Sequence, residues 1–216
     1  EEVSWIERAL ETKREKYNNK RKADSRERLA CYLLAIRTGL RSSEIAALRV
    51  GDFELTGAKP KVVLEGRFTK NGMQAIQYLD MKIADRIKKQ FKVKSLKAAD
   101  LAFNLPRRAQ RSNMLRRDFV AAREVWEHET GGKGSEDFLS TCNSKGEVIN
   151  FHCLRHTCGA WLAQAGINPK TIQSIMRHSS IKLTMDTYGH LFPDAEVDAV
   201  HKTASFSSNE RNEIFK

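Results

Sequence analysis

Five side chains with chemistry to offer lie within 37 residues of the last third of the chain: His152, Arg155, His156, His178 and Tyr188. His152 and Arg155 stand where a helix is expected to open, one turn apart on one face. Such a pair can grip a phosphate, the guanidinium as a two-pronged donor and the imidazole as giver or taker of a proton. The same spacing also suits an ordinary helix start with a hydrogen-bonded His. His152 and His156, at i and i+4, have the spacing of a metal-binding helix. The run His-Cys-Leu-Arg-His, however, has no Glu in second place to act as a base, and it sets a cation between the ligands. Zinc is therefore disfavoured, with Cys142 or Cys158 the only further ligand candidates. Tyr188 carries a phenol of pKa about 10 and needs neighbouring cations or a His base to act as a nucleophile. Upstream, Arg41 follows Gly39-Leu40 and precedes a helix whose N-terminus favours an anion.

These side chains must be carried by a chain of 216 residues, enough for one large domain or two small ones. Lys and Arg total 38 against 27 Asp and Glu, a net charge of +11, with 40% hydrophobic and 30% charged residues. That composition excludes a disordered chain and a membrane protein, and no stretch of 18 uncharged apolar residues occurs. The first residues, Glu1-Glu2-Val3-Ser4-Trp5, do not have the form of a signal peptide. Cys31, Cys142, Cys153 and Cys158 form no C-x-x-C pair and read as reduced thiols, which points to a cytoplasmic setting. The positive excess suits a polyanionic partner, though charge alone speaks of association and not of fold.

Periodicity supplies the positioning elements. Val3, Ile6, Leu10 and Tyr17 mark an exposed helix with a narrow apolar stripe. Asp24-Ser25-Arg26-Glu27 reads as an acidic capping box opening a buried helix through Leu29–Ile36, which ends at Gly39 in a left-handed turn. Ser42 or Ser43 is expected to cap a short helix through Leu48. Val62-Val63-Leu64 and Ala75–Leu79 read as two strands joined through the Asn71-Gly72 turn. Helices follow at Ile83, Ile87, Phe91 and at Leu115, Phe119, Ala122, Trp126, then a loop from Gly131 to Gly146. The last third predicts helices over Leu154–Ala165, from Asn168-Pro169 to Arg177, and over Ile181–Leu191. A final short helix from Pro193-Asp194 carries Val197 and Val200. The fold class is α+β, mainly helical with one small antiparallel sheet.

Together the motifs match a known pattern. Thr38-Gly-Leu-Arg41-Ser-Ser-Glu44 through Asp52 resembles the first motif of the tyrosine recombinases, the phage-integrase family. His152-Cys-Leu-Arg155-His-Thr157 resembles its H-x-L-R-H-T box, and His178-Ser-Ser-Ile through Thr187-Tyr188 its closing segment. Lys70, in Thr-Lys-Asn-Gly, sits where the family carries its hairpin lysine. The match spans about seven-tenths of the chain. One departure is Arg177, where the family has a Gly before the second His, which puts the local backbone in question. The other is that only 37 residues precede Thr38, where the family carries a core-binding domain. The chain thus reads as a tyrosine-recombinase-like catalytic domain at 1–205 with a tail at 206–216, the N-terminal core-binding domain being absent.

The resemblance implies a site-specific recombinase that cleaves and rejoins double-stranded DNA through a 3′-phosphotyrosyl intermediate, without metal, ATP or cofactor. Arg41 and Arg155 would clamp the phosphate oxygens with a hydrogen bond from His178. Tyr188 would be the nucleophile, Lys70 the general acid and His152 the acceptor of the tyrosine proton. Glu44 would support Arg41, and His156 would be structural. It also implies a homotetramer on DNA with accessory DNA-bending proteins, encoded by a bacterium or phage and nucleoid-associated. A type IB topoisomerase and a non-catalytic DNA-binding module, using the helix pair 154–165 and 169–177, are the alternatives. The basic excess is local: residues 61–118 hold 15 Lys and Arg against 5 Asp and Glu. That segment is expected to line the DNA.

Overall fold

A computed structural model describes residues 1–16, 19–68, 72–132, 136–192 and 200. The chain divides into two compact units, residues 1–158 and 159–216.

The first unit is built on helices α1 (Glu2–Lys16), α2 (Asn19–Thr38), α3 (Ser42–Ala47), α4 (Met81–Lys94) and α5 (Arg108–Thr130). The apolar stripe of α1 buries Ile6, Ala9 and Leu10 against α2 and α5. The apolar run of α2 buries Leu29, Ala30, Cys31, Tyr32, Leu34, Ala35 and Ile36. A helix buried around so much of its circumference becomes the axis on which its neighbours pack. α4 turns Ile83, Ile87 and Phe91 inward, as the i, i+4, i+8 spacing predicts. Burial forces the Cys31 thiol far above its ordinary value, so it packs as a small apolar group.

Strands β1 (Phe53–Glu54), β2 (Lys61–Leu64) and β3 (Ala75–Tyr78) form an antiparallel sheet in the order β1-β2-β3. Val62 pairs with Gln77 and Leu64 with Ala75, which turns Val62 and Leu64 into the core and leaves Ile76 and Tyr78 facing solvent. The tip of this hairpin, with Lys70 and Asn71, lies outside the described residues, as do Tyr17, the expected helix after Pro193 and the 206–216 tail.

Two local expectations fail. Asp24 does not cap α2, which begins at Asn19. Glu27, three residues on, is buried, and its carboxylate accepts the Asn104 backbone N–H and pairs with Lys94. Neither Ser42 nor Ser43 caps α3. Arg41 takes that position in extended backbone (φ −74°, ψ 150°), and Glu44 accepts its N–H at 2.7 Å. The two-residue β1 is too short to have left a periodic signal.

The second unit holds most of α6 (His152–Gln164), which starts in the first, then α7 (Pro169–Met176) and α8 (Ile181–Tyr188). Asn168 accepts the Lys170 N–H at 2.8 Å with Pro169 in the first helical position, as its sequence predicts. α7 packs on α8, burying Ile172 and Met176.

A buried ion-pair network ties α2 to α5. Arg28 grips both Asp118 carboxylate oxygens, at 2.7 and 3.1 Å, and the Tyr32 hydroxyl donates to Oδ2 at 2.7 Å. Burial and the Asp118 charge together push the Tyr32 phenol well above its usual range. Removing the carboxylate takes two hydrogen bonds from a half-buried guanidinium and one from a buried hydroxyl. Asp118→Ala is therefore expected to lower stability by about 3 kcal/mol, read by urea denaturation. An unchanged midpoint would refute the role given to this network.

Candidate functional site

The first cluster forms where the turn after α2 meets the start of α6. Gly39 takes the left-handed conformation (φ 63°) that ends α2, and its N–H donates to Ala35 O at 2.9 Å. The Thr38 hydroxyl donates back to Leu34 O at 2.6 Å and accepts the Leu40 N–H at 3.3 Å. The carbonyl of Gly39 then points at the buried guanidinium of Arg155, whose Nη1 donates to it. This bond joins positions 116 residues apart and fixes the turn bearing Arg41 to the helix bearing Arg155.

Arg41 is held from a second side. The Glu44 carboxylate, 1% exposed, accepts the Arg41 backbone N–H through Oε2 and its Nη1 through Oε1 at 3.0 Å. A carboxylate so deeply buried needs these donors, and they fix the direction of the guanidinium in return. Glu44 and Arg41 are thus in direct contact through both carboxylate oxygens. On α6, Asn150 Oδ1 accepts the His152 N–H at 2.8 Å, satisfying an open donor of the first turn. The rings of His152 and His156 meet edge to face, 4.8 Å apart at 89°. Partial desolvation, then the charges of His156, Arg155 and Arg41, hold the His152 imidazole below its ordinary pKa. Desolvation and Arg155 lower His156 likewise. Two cations beside two neutral imidazoles make a site that can hold an anion and accept a proton at neutral pH.

The second cluster belongs to the second unit. Tyr188, 3% exposed, ends α8 with its ring nearly parallel to that of His178, centroids 6.3 Å apart at 9°. His178 Nδ1 lies 2.9 Å from the hydroxyl of Thr184, which is fully buried. The phenol of Tyr188 lies against Gly159 of α6. A Cβ at that position would come within 2.2 Å of Tyr188 Cζ and 2.5 Å of Oη.

Arg177, the residue that departs from the family pattern, has φ 52° and ψ 46°. Its N–H donates to Ser174 O and that of His178 to Gln173 O, both at 3.0 Å, which closes α7 in the manner of a Schellman turn. The backbone that glycine would favour is therefore kept, with an arginine on it. Gln173 Nε2 also donates to His178 O at 3.2 Å. The sequence left the backbone before His178 open. The structure shows a left-handed residue there.

Three positioning residues escaped the sequence reading. Gly159 had a signal, an isolated glycine inside a helical pattern. Thr184 lay unremarked within the closing motif. Arg111 was grouped with the basic DNA-facing residues, yet it donates from Nε to Pro106 O at 3.0 Å and from Nη1 to Ser42 O at 2.7 Å. It braces the residue after Arg41. Arg116 likewise donates to Ile149 O at 3.0 Å. Arg107, Arg108 and Arg117, with Lys82, Lys88, Lys89 and Lys92 on α4, remain as exposed cations. Among the described residues no group of three His, Cys, Asp or Glu side chains is placed to hold a metal ion, and no helix is long and apolar enough to cross a membrane.

Two substitutions test the local geometry. Gly159→Ala is expected to cost about 1–3 kcal/mol by overpacking the Tyr188 ring. Arg177→Gly is expected to gain about 1 kcal/mol by relieving the left-handed backbone. Both are read by denaturation, and a neutral result at either position contradicts the packing described.

The sequence matches the phage integrase family over residues 6–194. It is 23% identical over 195 residues to a tyrosine recombinase XerC-like protein of Caldanaerobacter subterraneus subsp. tengcongensis, covering 79% of this chain and 47% of that protein. The chain spans about half the length of the curated relatives it matches over most of its own length. Among solved structures it is similar to the XerH site-specific recombinase in a post-cleavage complex with its palindromic difH substrate. The TM-score there is 0.61 at 18% identity, covering 95% of this chain and 52% of that one. Against the catalytic domain of bacteriophage HP1 integrase the TM-score is 0.54 at 17% identity, covering 96% of each chain. At these identities the structural likeness speaks for the fold, a helical domain with a small antiparallel sheet. With the sequence match extending through both motif clusters, the chain belongs to the phage integrase family.

Proposed function

We propose that this chain is the catalytic part of a site-specific tyrosine recombinase that breaks and rejoins double-stranded DNA through a 3′-phosphotyrosyl intermediate. One observation carries the reading: Arg41 and Arg155, fixed by Glu44 and the Gly39 carbonyl, stand beside imidazoles kept below their ordinary pKa. This is the equipment that a pentavalent phosphorane needs. Its extra negative charge falls on the non-bridging oxygens, and two preset guanidiniums stabilise it without a metal ion.

In the proposed reaction Tyr188 Oη attacks the phosphorus while His152 takes the phenolic proton. The bond from phosphorus to the 5′-oxygen breaks, and Lys70 protonates that leaving oxygen to give a free 5′-hydroxyl. His178, oriented by Thr184, donates to a phosphate oxygen. Attack by a second 5′-hydroxyl reverses these steps and releases Tyr188 without ATP. The DNA-bound form is a homotetramer around two duplexes, assisted by DNA-bending proteins, in the cytoplasm of a bacterial host. The exposed cations of α4 and of the start of α5 lie along the DNA.

The reading is tested with a pool of nicked suicide duplexes of randomised sequence, incubated with the full chain in EDTA and scored for an SDS-resistant adduct. The wild type is expected to form it and Tyr188→Phe to form none. Arg41→Ala and Arg155→Ala should each slow adduct formation by about 10²–10³-fold, the scale for one lost transition-state donor. An adduct that persists in Tyr188→Phe contradicts the assignment. Binding without any adduct favours the DNA-binding module, and an adduct that relaxes supercoils without exchanging strands favours the topoisomerase. Replacing Arg107, Arg108 and Arg117 together by Gln should flatten the salt dependence of DNA binding by up to about 0.9 in log–log slope per lost phosphate contact. An unchanged slope would place the DNA elsewhere.

A further inference from the structure

His156 has no part in the reaction just described, yet its ring lies against that of the proposed proton acceptor. The i, i+4 spacing on α6 sets its imidazole edge to face with that of His152, at 4.8 Å. Both residues lie at the surface with their rings only partly desolvated, so the contact is not a by-product of core packing. Arg155 lies between them in sequence, with its guanidinium buried and tied to Gly39. Arg41, itself held by Glu44, adds its charge from the turn before α3. We infer that His156 is a positioning residue that orients the His152 ring and keeps it unprotonated, so that His152 is ready to accept the Tyr188 proton.

The physical reason is that the two imidazoles cannot both carry a proton cheaply. A proton on His152 meets the other ring and the guanidiniums of Arg155 and Arg41, and one on His156 meets that of Arg155, so the two rings titrate as a coupled unit. The lowered pKa of each histidine agrees with this: after desolvation, His156 is the largest influence on His152, ahead of Arg155 and Arg41. Aligned imidazole edges and faces also restrict rotation of the His152 ring, which fixes the direction of its accepting nitrogen. When His152 takes the phenolic proton, the next exchange passes it to solvent at this exposed face. No other reactant is needed.

This inference rests on the recombinase reading, and its first test does not. In DNA-free full chain labelled with ¹⁵N-histidine, the His152 titration is followed by NMR in wild type, His156→Gln and His156→Phe. Circular dichroism checks that each variant is folded. In both variants the His152 midpoint is expected to move to higher pH, because one positive neighbour has gone. An unmoved midpoint in a folded variant overturns the inference. The second test is the pH profile of adduct formation on a duplex recovered from the randomised pool. His156→Gln should carry the acid limb to higher pH by the same interval as the NMR midpoint and lower the rate above that limb, because the His152 ring is no longer held in direction. His156→Phe, which restores an aromatic edge without charge, should recover the ring order of His152 and not its low midpoint. A midpoint that moves while the acid limb stays also overturns the inference, since His152 would then not be the acceptor. A wild type that forms no adduct on any duplex defeats the recombinase reading instead, and the NMR result still decides whether the pair is coupled.

Discussion

The bond from Arg155 to the carbonyl of Gly39 is the constraint on which the first cluster depends. A buried guanidinium must spend its donors on something, and a backbone carbonyl in a left-handed turn is an acceptor that does not move. Gly39 can present that carbonyl because it alone in the turn accepts a positive φ without strain. Its position is set in turn by the capping of α2 through Ala35, Leu34 and Thr38. Arg41 follows two residues later, so the same turn sets the backbone from which the second guanidinium extends, and Glu44 holds its head. Glu44 and Arg111 finish the work from either side. Hence the two cations of the proposed phosphate clamp are placed by one turn and its backbone.

A different solution places the tyrosine. Tyr188 is seated by an absence, the missing side chain of Gly159, and faced by the ring of His178. His178 is oriented by the buried Thr184 hydroxyl and by the Schellman turn through Arg177. An arginine in left-handed backbone carries a strain of about 1 kcal/mol that glycine would avoid. The turn keeps its form all the same, because the N–H groups of Arg177 and His178 both find carbonyls of α7. Chain geometry here survives the change of residue because hydrogen bonds dictate it.

Much of this could be read in the sequence, and what could not follows a physical pattern. The motifs around Arg41, Arg155 and Tyr188, the Asn168-Pro169 start of α7 and the inward face of α4 are local signals, carried by residues within one or two turns. Some of the failures are long-range and others local. Asp24 offers a good cap, but Glu27 is drawn into the core by Asn104 and Lys94, and α2 runs on past it. Arg111 sits in a basic run and looks like a DNA contact, yet its partner carbonyl is 69 residues away. The Arg41 cap of α3 escaped notice because Ser42 and Ser43 are better cap formers, and the reciprocal Glu44 contact overrides that preference. The first turns of α5 carry Arg108, Gln110, Arg111 and Asn113, so its apolar spacing starts only at Met114 and Leu115.

In the proposed reaction Tyr188 becomes covalently joined to DNA. The most direct measurement is mass spectrometry of the adduct after trypsin and nuclease digestion, with fragmentation of the peptide running from Leu183 to Lys202. A nucleotide mass on Tyr188, attached through a 3′-phosphate, is the expected result. A nucleotide on any other residue, or on none while the adduct persists, would contradict it.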